Sequence, residues 1–455
     1  MTAYRTVLSM IGNTPLVEVT RIDTGKCRLF LKLENQNPGG SIKDRIALSM
    51  VEAAETDGRL KAGGTIIEAT AGNTGLGLAL VAAQKGYRLV LVIPDKMAQE
   101  KIFHLRALGA EVRMTRSDVG KGHPEYYQDM AERLTSETPG AIYINQFANP
   151  ANPLAHETGT APEIWQQMEH RIDAIVCGVG SGGTLTGIGR FMKRVSPATK
   201  MILADPKGSI LTEKVKTGRM SQAGSWLVEG IGEDFVPDNC DLSLVSDAIT
   251  VTDAESFATA RELLRLEGLL AGSSSGTLVG AALRYCRAQS TPQRVVSFVC
   301  DSGNKYLSKM FNDYWLLDQG FLERPQTGDL RDLISRRHAE RATVTASPDD
   351  TLLAAYARMK LYDISQLPVL RDGQVVGIVD ESDILMAVYD HEDKFKEKVA
   401  SAMTSKLDML DARSPLSALL PIFARDHIAI VRDGDEFLGL ITRIDLLNHL
   451  RRRMR

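Results

Sequence analysis

The feature that most constrains this chain is a recurring join: a short apolar run, a glycine-rich loop, then a stretch of small or amphipathic residues. Thr65-Ile-Ile-Glu-Ala69 ends at Thr70-Ala71-Gly72-Asn73-Thr74-Gly75, and small residues from Leu76 to Ala83 follow. Asp173-Ala-Ile-Val-Cys177 runs into Gly178-Val179-Gly180-Ser181-Gly182-Gly183-Thr184, and the run from Val295 to Val299 ends in Cys300-Asp301-Ser302-Gly303. Arg28-Leu-Phe-Leu-Lys-Leu33, Leu89-Val-Leu-Val-Ile93 and Met201-Ile-Leu-Ala204 are further strand-like runs. Such alternation predicts an α/β fold with parallel-type sheets over residues 1–320. Its ligand-facing loops lie at the carboxyl ends of the strands. A strand, Gly-loop, helix unit also aims free backbone N–H groups at an anion.

One loop carries more chemistry than the others. Asn37-Pro38-Gly39-Gly40-Ser41-Ile42-Lys43-Asp44-Arg45 reads as a turn followed by a helix start, with Ser41 as the cap. Lys43 then falls in the first helical turn, where cations do not stabilise a helix. The positive field there, and any desolvation, lowers its pKa and leaves more free amine. A free amine beside anion-binding N–H groups suits a Schiff base with a phosphate-bearing aldehyde cofactor. The alternative from this stretch alone is a solvated surface lysine. The loop from Gly178 to Thr184 has two readings as well. Asp205 stands where a dinucleotide fold places its ribose-binding acid, but Pro206 follows directly. The abundance of Gly, Ser and Thr favours a nest around a single phosphate.

With 455 residues the chain exceeds a single core. A net charge of -3 supplies no field to recruit nucleic acid or membrane, and the basic tail Arg451-Arg452-Arg453-Met454-Arg455 reads as a solvated helix end. Cys27, Cys177, Cys240, Cys286 and Cys300 are scattered without a C-x-x-C. That argues for reduced thiols, with no disulfide framework and no metal site. No apolar run reaches the roughly 20 residues that span a bilayer, and Met1 to Met10 carry no leader signature, so a cytoplasmic protein is expected.

Composition shifts after Trp315. Residues 321–340 are polar and read as a linker, and residues 341–455 hold an internal repeat. Gln374-Val-Val-Gly-Ile-Val-Asp-Glu-Ser-Asp-Ile-Leu385 recurs as Glu436-Phe-Leu-Gly-Leu-Ile-Thr-Arg-Ile-Asp-Leu-Leu447, with Gly377 and Gly439, and Asp383 and Asp445, each 62 positions apart. Each half, about 341–390 and about 400–455, reads as strand, turn, strand, helix, with its aspartate at the helix start where it serves as an N-cap.

Taken in order, P-G-G-S-x-K-D-R, A-G-N-T-G and G-S-G-G-T resemble the β-family of pyridoxal-phosphate enzymes (fold type II), the group of cysteine synthases and cystathionine β-synthases. Residues 341–455 resemble a tandem pair of CBS motifs, an α+β module. The resemblance implies a two-subdomain catalytic fold and assigns roles by position. Lys43 is the Schiff-base lysine and acid/base, and Asn73 holds the ring hydroxyl. Gly180, Ser181, Gly182, Gly183 and Thr184 cradle the phosphate, and Ser302 meets the pyridine nitrogen. Thr70, Ala71, Thr74 and Gln146 face the substrate carboxylate. A hydroxyl at the ring nitrogen makes the ring a weaker electron sink than a carboxylate would, which favours loss of a β-substituent and addition of a thiolate to the resulting aminoacrylate.

Within the group, Glu229-Gly230-Ile231-Gly232 with Glu233-Asp234-Phe235, the stretch from Cys300 to Tyr306, and the CBS pair resemble the cystathionine β-synthase side. That implies condensation of L-serine with L-homocysteine in transsulfuration, with hydrogen sulfide from cysteine plus homocysteine as a side activity. Ala71 departs from the serine that many members carry and removes one hydroxyl from the carboxylate loop, while Phe147 after Gln146 resembles the cysteine-synthase side, which uses O-acetylserine and sulfide. No haem is expected, because the fold begins almost at Met1. In the CBS pair, Asp383, Thr442 and Asp445 match positions that hold an adenosyl ligand; packing without a ligand is the alternative. The resemblance implies a homodimer, with CBS pairs able to join dimers into tetramers.

Overall fold

The structure is a computed structural model that describes residues 3–70, 72–95, 97, 99–120 and 122–452. The chain divides into two compact units, Met1–Phe311 and Asn312–Arg455. Residues 312–320, read above as the end of the catalytic region, group with the second unit, where Arg451 pairs with Asp318.

The first unit is built on two sheets, as an α/β fold with two subdomains requires. A four-stranded parallel sheet runs in the order Glu111–Thr115, Arg88–Pro94, Thr65–Ala69, Ala141–Tyr143. A six-stranded sheet runs Leu16–Glu18, Arg28–Leu33, Arg294–Val299, Ala174–Cys177, Lys200–Pro206, Asp247–Val251. Only its first pair is antiparallel. Thr65–Ala69 is buried at every position, as a strand covered on both faces must be, and Glu68 within it is satisfied by the Asn145 and Gln146 N–H groups. Helices Lys43–Thr56 and Asn73–Lys85 pack together in the core beside the four-stranded sheet. Their close approach needs Gly77: a Cβ there would lie 2.9 Å from Ala47 Cβ and 3.0 Å from the Lys43 carbonyl oxygen.

A buried ionic cluster sits under the Lys43 loop. Arg45 sends Nε and Nη2 to the two oxygens of Glu34 (2.7 and 2.8 Å), and Nη1 and Nη2 to those of Glu163 (2.8 and 2.7 Å). Lys32 donates to Glu163 (2.8 Å), the Thr14 carbonyl (2.7 Å) and Gln167 (2.9 Å). Burial works against these charges, yet the Glu34 and Glu163 carboxylates hold the Arg45 guanidinium above its ordinary range. Burial also opposes ionisation of Glu163, but Arg45 and Lys32 bring it down to about 2. Asn37 donates to Glu34 (2.8 Å) and accepts from Gly12 N (2.8 Å), so the turn before Lys43 is tied to the same cluster.

The second unit shows the repeat read from the sequence. Strands Gln366–Arg371 and Gln374–Asp380 form one hairpin and lead into helix Glu381–Val388. Strands Ala429–Asp433 and Glu436–Ile441 form the other and lead into helix Arg443–Arg452. Each hairpin carries one register shift, between Val369 and Leu370 and between Val431 and Arg432. Each half has its own apolar core.

The ionic cluster generates a stability prediction. Arg45→Met leaves the buried Glu34 without a cation and Glu163 with Lys32 alone, and is expected to cost about 3–5 kcal/mol. Urea unfolding of the variant and parent measures it; a loss under about 1 kcal/mol would contradict the cluster's role.

Candidate active site

The loops that follow Leu33, Ala69, Cys177 and Val299 meet around one cavity of about 330 Å³. Its walls include Lys43, Thr70, Asn73, Thr74, Gln146, Gly180, Ser181, Gly182, Thr184, Gly230 and Gly232. The structure therefore brings together most of the residues the sequence nominated from separate parts of the chain. Ala71 lies outside the described residues.

Lys43 opens helix Lys43–Thr56, and its backbone N–H donates to the Ser41 hydroxyl at 3.2 Å. Burial lowers its pKa, partly offset by Cys300, Asp301 and Glu233. The next residue, Asp44, is fully buried and accepts from Gly39 N at 2.5 Å; its other oxygen has no partner. Burial raises its carboxyl to about 7, against the pull of the Gly39 N–H, Lys305 and Arg45, with Glu34 adding to the rise.

The anion end is built at the start of helix Gly183–Val195. Gly182 adopts φ +84°, and a Cβ at Gly183 would fall 1.8 Å from Asn152 Oδ1, so only glycines fit this close turn. The exposed N–H groups, with Ser181 and Thr184, form a donor set suited to a phosphate. Asn152 Nδ2 donates to Ser181 Oγ (2.9 Å), and His156 Nε2 lies 3.2 Å from Thr184 Oγ1. His156 is buried and kept neutral, since burial drives its pKa well below 6.5. Its Nδ1 meets Thr160 Oγ1 at 2.9 Å within a short π-helical segment, His156–Thr160. For Thr184 to donate outward it must accept from Nε2–H, which assigns Thr160 as donor to Nδ1. The residues present therefore fit pyridoxal phosphate at its phosphate end.

Thr70, Thr74 and Gln146, expected to face the substrate carboxylate, lie together on another part of the wall. Thr74 donates to Gln146 Oε1 at 2.6 Å, and Thr70 accepts from Gly72 N at 3.2 Å. Asn152 and Asn239 donate to the Gln146 carbonyl, and buried Glu68 accepts from Asn145 N and Gln146 N, so the Gln146 loop is held from three sides. Asn73 Nδ2 donates to Asp301 (2.8 Å) and Asn73 Oδ1 accepts from Lys305 (2.9 Å).

Ser302 falls elsewhere than expected. It is absent from the cavity wall, and its hydroxyl caps the short turn Gly303–Tyr306 by accepting from Asn304 N (3.3 Å). Ser274, in the first turn of helix Ser273–Arg287, instead brings a hydroxyl to the cavity wall beside Cys300 and Leu278. The signal was present in Ala271-Gly-Ser-Ser-Ser-Gly276, which reads equally as a plain cap. Cys177 and Cys300 also line the cavity; burial raises Cys300 to about 12 and Cys177 further, so both stay as thiols.

Beyond this floor lies a charged side unannounced by any motif except Glu229. Lys101 donates to Glu229 (2.6 Å) and Tyr306 (3.1 Å), and Lys309 pairs with the other Glu229 oxygen at 2.7 Å. Lys101, Glu229 and Lys309 all border the cavity, with Phe147 packed on Phe235 at 5.6 Å between centroids nearby.

In the second unit, Asp380 and Asp383 form a reciprocal capping box (2.7 and 3.0 Å). Asp445 accepts from Thr442 N (2.8 Å) and Thr442 Oγ1 (2.6 Å). Asp380, not the expected Asp383, is the N-cap of helix Glu381–Val388, with Asp383 bonding back from the third helical position, so Asp383, Thr442 and Asp445 are all engaged at helix starts. Among the described residues there is no cluster that could hold a metal and no helix long and apolar enough to cross a membrane.

Comparison with known proteins agrees with this geometry. Residues 7–301 match the family described as pyridoxal-phosphate dependent enzyme, and residues 331–390 and 399–452 match the CBS domain. The chain is similar to cystathionine beta-synthase of Dictyostelium discoideum, 38% identical over 458 residues, covering 98% of this chain and 92% of that one. It is similar to cysteine synthase 1 of Neurospora crassa, 41% identical over 319 residues, covering 69% and 84%. A solved hydrogen sulfide-producing enzyme from Fusobacterium nucleatum superimposes with a TM-score of 0.63 at 37% identity, covering 67% of this chain and all (100%) of that one.

Asp44 generates a pH prediction. The folded chain holds a proton on Asp44 up to about pH 7, while the unfolded chain releases it near the ordinary 3.8. Between those values a rise in pH therefore costs stability through this group. Asp44→Asn removes that contribution, so parent stability should fall relative to the variant by up to about 1.4 kcal/mol per pH unit and level off above neutrality. Urea unfolding of both proteins across this range checks it; parallel curves would contradict it.

Proposed function

Because the chain belongs to the cystathionine beta-synthase family of pyridoxal-phosphate dependent enzymes, we propose that it joins L-serine to L-homocysteine, giving L-cystathionine by β-replacement. The observation that carries this choice is the charged cavity side formed by Lys101, Glu229 and Lys309. A zwitterionic second substrate brings a carboxylate for the lysines and an ammonium for Glu229. Sulfide needs neither.

On this reading Lys43 holds the cofactor, Gly180, Ser181, Gly182, Gly183 and Thr184 bind its phosphate, and Asn73 its ring hydroxyl. Ser274 takes the ring-nitrogen role expected of Ser302. Pyridoxal phosphate, when bound, supplies a sink for the charge left at Cα. Thr70, Thr74 and Gln146 bind the first substrate's carboxylate. Lys43 Nζ, freed by the incoming amine, takes the Cα proton and delivers a proton to the departing hydroxyl oxygen. Gly230 and Gly232 leave backbone room at the entry of the second substrate, and Phe147 against Phe235 excludes water there. The CBS pair takes an adenosyl ligand near Asp383, Thr442 and Asp445. The catalytic units pair as a homodimer, and the CBS pairs join dimers into tetramers.

A second reading, a cysteine synthase using O-acetylserine and sulfide, is favoured by Gln146-Phe147 and by the Neurospora relative. Hydrogen sulfide release from cysteine plus homocysteine fits either reading, and the similar Fusobacterium enzyme is itself a hydrogen sulfide producer.

The test offers serine, O-acetylserine, homocysteine and sulfide together to purified enzyme with pyridoxal phosphate and resolves products by mass. Cystathionine as the main product is expected; cysteine as the main product would overturn the reading in favour of the second. Lys309→Ala should raise the KM for homocysteine at least about tenfold, equivalent to about 1.4 kcal/mol, and leave that for serine unchanged.

A further inference from the structure

Lys305 is assigned no role by any motif, yet one atom of it touches two of the loops that build the site. The residue is only 7% exposed. Its Nζ donates to the carbonyl oxygens of Gly39 (3.2 Å) and Gly40 (3.3 Å) and to Asn73 Oδ1 (2.9 Å). Gly39 and Gly40 form the turn that leads to Lys43, and Asn73 opens the helix behind the second loop. Lys305 itself sits on a third loop, the one after strand Arg294–Val299, where Ser302 N also donates to the Gly40 carbonyl (3.2 Å). Its three hydrogen-bond acceptors are neutral carbonyl oxygens, while the Asp301 and Asp44 carboxylates favour its charge from nearby.

We propose that Lys305 is a positioning residue that fixes the amide orientation of Asn73 and so sets the protonation state of the bound cofactor's ring oxygen. A lysine ammonium can only donate, so the atom of Asn73 that faces it must be the oxygen. The Asn73 nitrogen is then turned the other way, where Asp301 accepts one of its two N–H groups. Asp301 is itself held by the Tyr306 hydroxyl (2.6 Å), so the second anchor is fixed as well. With donor on one side and acceptor on the other, the amide cannot flip without breaking both contacts. The remaining N–H of Asn73 is the group offered to the cavity. A donor there favours an ionised ring oxygen; a flipped amide would offer a carbonyl and favour a protonated one. The Lys305 charge adds to the effect by polarising the amide toward a stronger N–H donor. Lys305 acts in this way only if Asn73 meets the ring hydroxyl, as proposed above, and does so whichever amino acids the enzyme uses.

The experiment reads the absorbance of bound pyridoxal phosphate in the purified full-length holoenzyme, with no substrate added. Lys305→Met keeps the stem and removes the donor. It is expected to lower the ratio of the visible to the near-ultraviolet band at least about threefold and to weaken cofactor binding about tenfold. Lys305→Gln, which restores a neutral donor to Asn73, should return the ratio to within about twofold of the parent. The deciding measurement is a double-mutant cycle: in an Asn73→Ala background, Lys305→Met should leave the ratio unchanged, because the residue through which it acts is gone. A parental ratio in Lys305→Met, or effects of the two substitutions that simply add, would overturn the proposal. If Lys305→Met does not fold, the Lys305→Gln protein decides: a ratio as low as that of Asn73→Ala would also overturn it.

Discussion

Glu34 and Arg45 meet through two parallel hydrogen bonds in a buried setting, and the chain between them is the loop that carries Lys43. The pair closes that loop at its base. The loop is short and glycine-containing: Pro38, Gly39 and Gly40 form a turn, and the helix opens at Lys43 with Ile42, rather than the expected Ser41, at the N-cap position. Such a segment holds one shape only if its ends are fixed and its backbone groups are satisfied. Arg45 fixes one end, Asn37 bonded to Glu34 fixes the other, and Asp44 accepts the Gly39 N–H between them. Glu163 and Lys32 bring the cluster to balanced charge, which is the condition under which burying it is tolerable.

The same condition governs the cavity. Lys101 and Lys309 at its border are held by Glu229, and the buried Lys305 behind the Lys43 turn is held by three carbonyl oxygens. These networks share residues. Tyr306 receives the Lys101 ammonium on its oxygen and donates to Asp301, which in turn accepts from Asn73. A polar path therefore runs from the proposed second-substrate side to the residue proposed for the ring hydroxyl. In a low-dielectric site such chains reinforce one another and keep their members in one arrangement.

Much of this was legible in the sequence. The runs at Thr65–Ala69 and Arg28–Leu33 are strands with the bounds read from the residues, because short, mainly apolar runs followed by turn-forming loops leave little choice. Lys43, Asn73, Thr74, Gln146 and the loop 180–184 converge because parallel strands deliver their carboxyl-terminal loops to one side. Ser302 shows where such reading stops. Ser274 and Ser302 both belong to glycine-containing turns, and only three-dimensional placement shows that one hydroxyl caps its own turn while the other borders the cavity. Lys305, Arg45 and Glu163 escaped for a different reason: in a sequence, a charge that will be buried and paired looks the same as one on the surface. His156 was silent too, since its partners Thr160 and Thr184 are ordinary residues until a π-helical turn sets the ring between them.

The environment of Lys43 bears on the first substrate as well. Hydroxide is a poor leaving group and must take up a proton as it departs, whereas acetate leaves without one. An ammonium whose pKa is lowered by burial is a stronger acid than a solvated lysine and hands its proton over more readily. The same depressed pKa makes it easier to have the free amine in place for the Cα proton beforehand. A lysine that must act first as base and then as acid toward a hydroxyl gains from a pKa brought toward neutrality, while one serving an acetate leaving group has only the first task. The desolvated Lys43 is thus consistent with the serine chemistry proposed above, as is the zwitterion-binding side proposed for the second substrate.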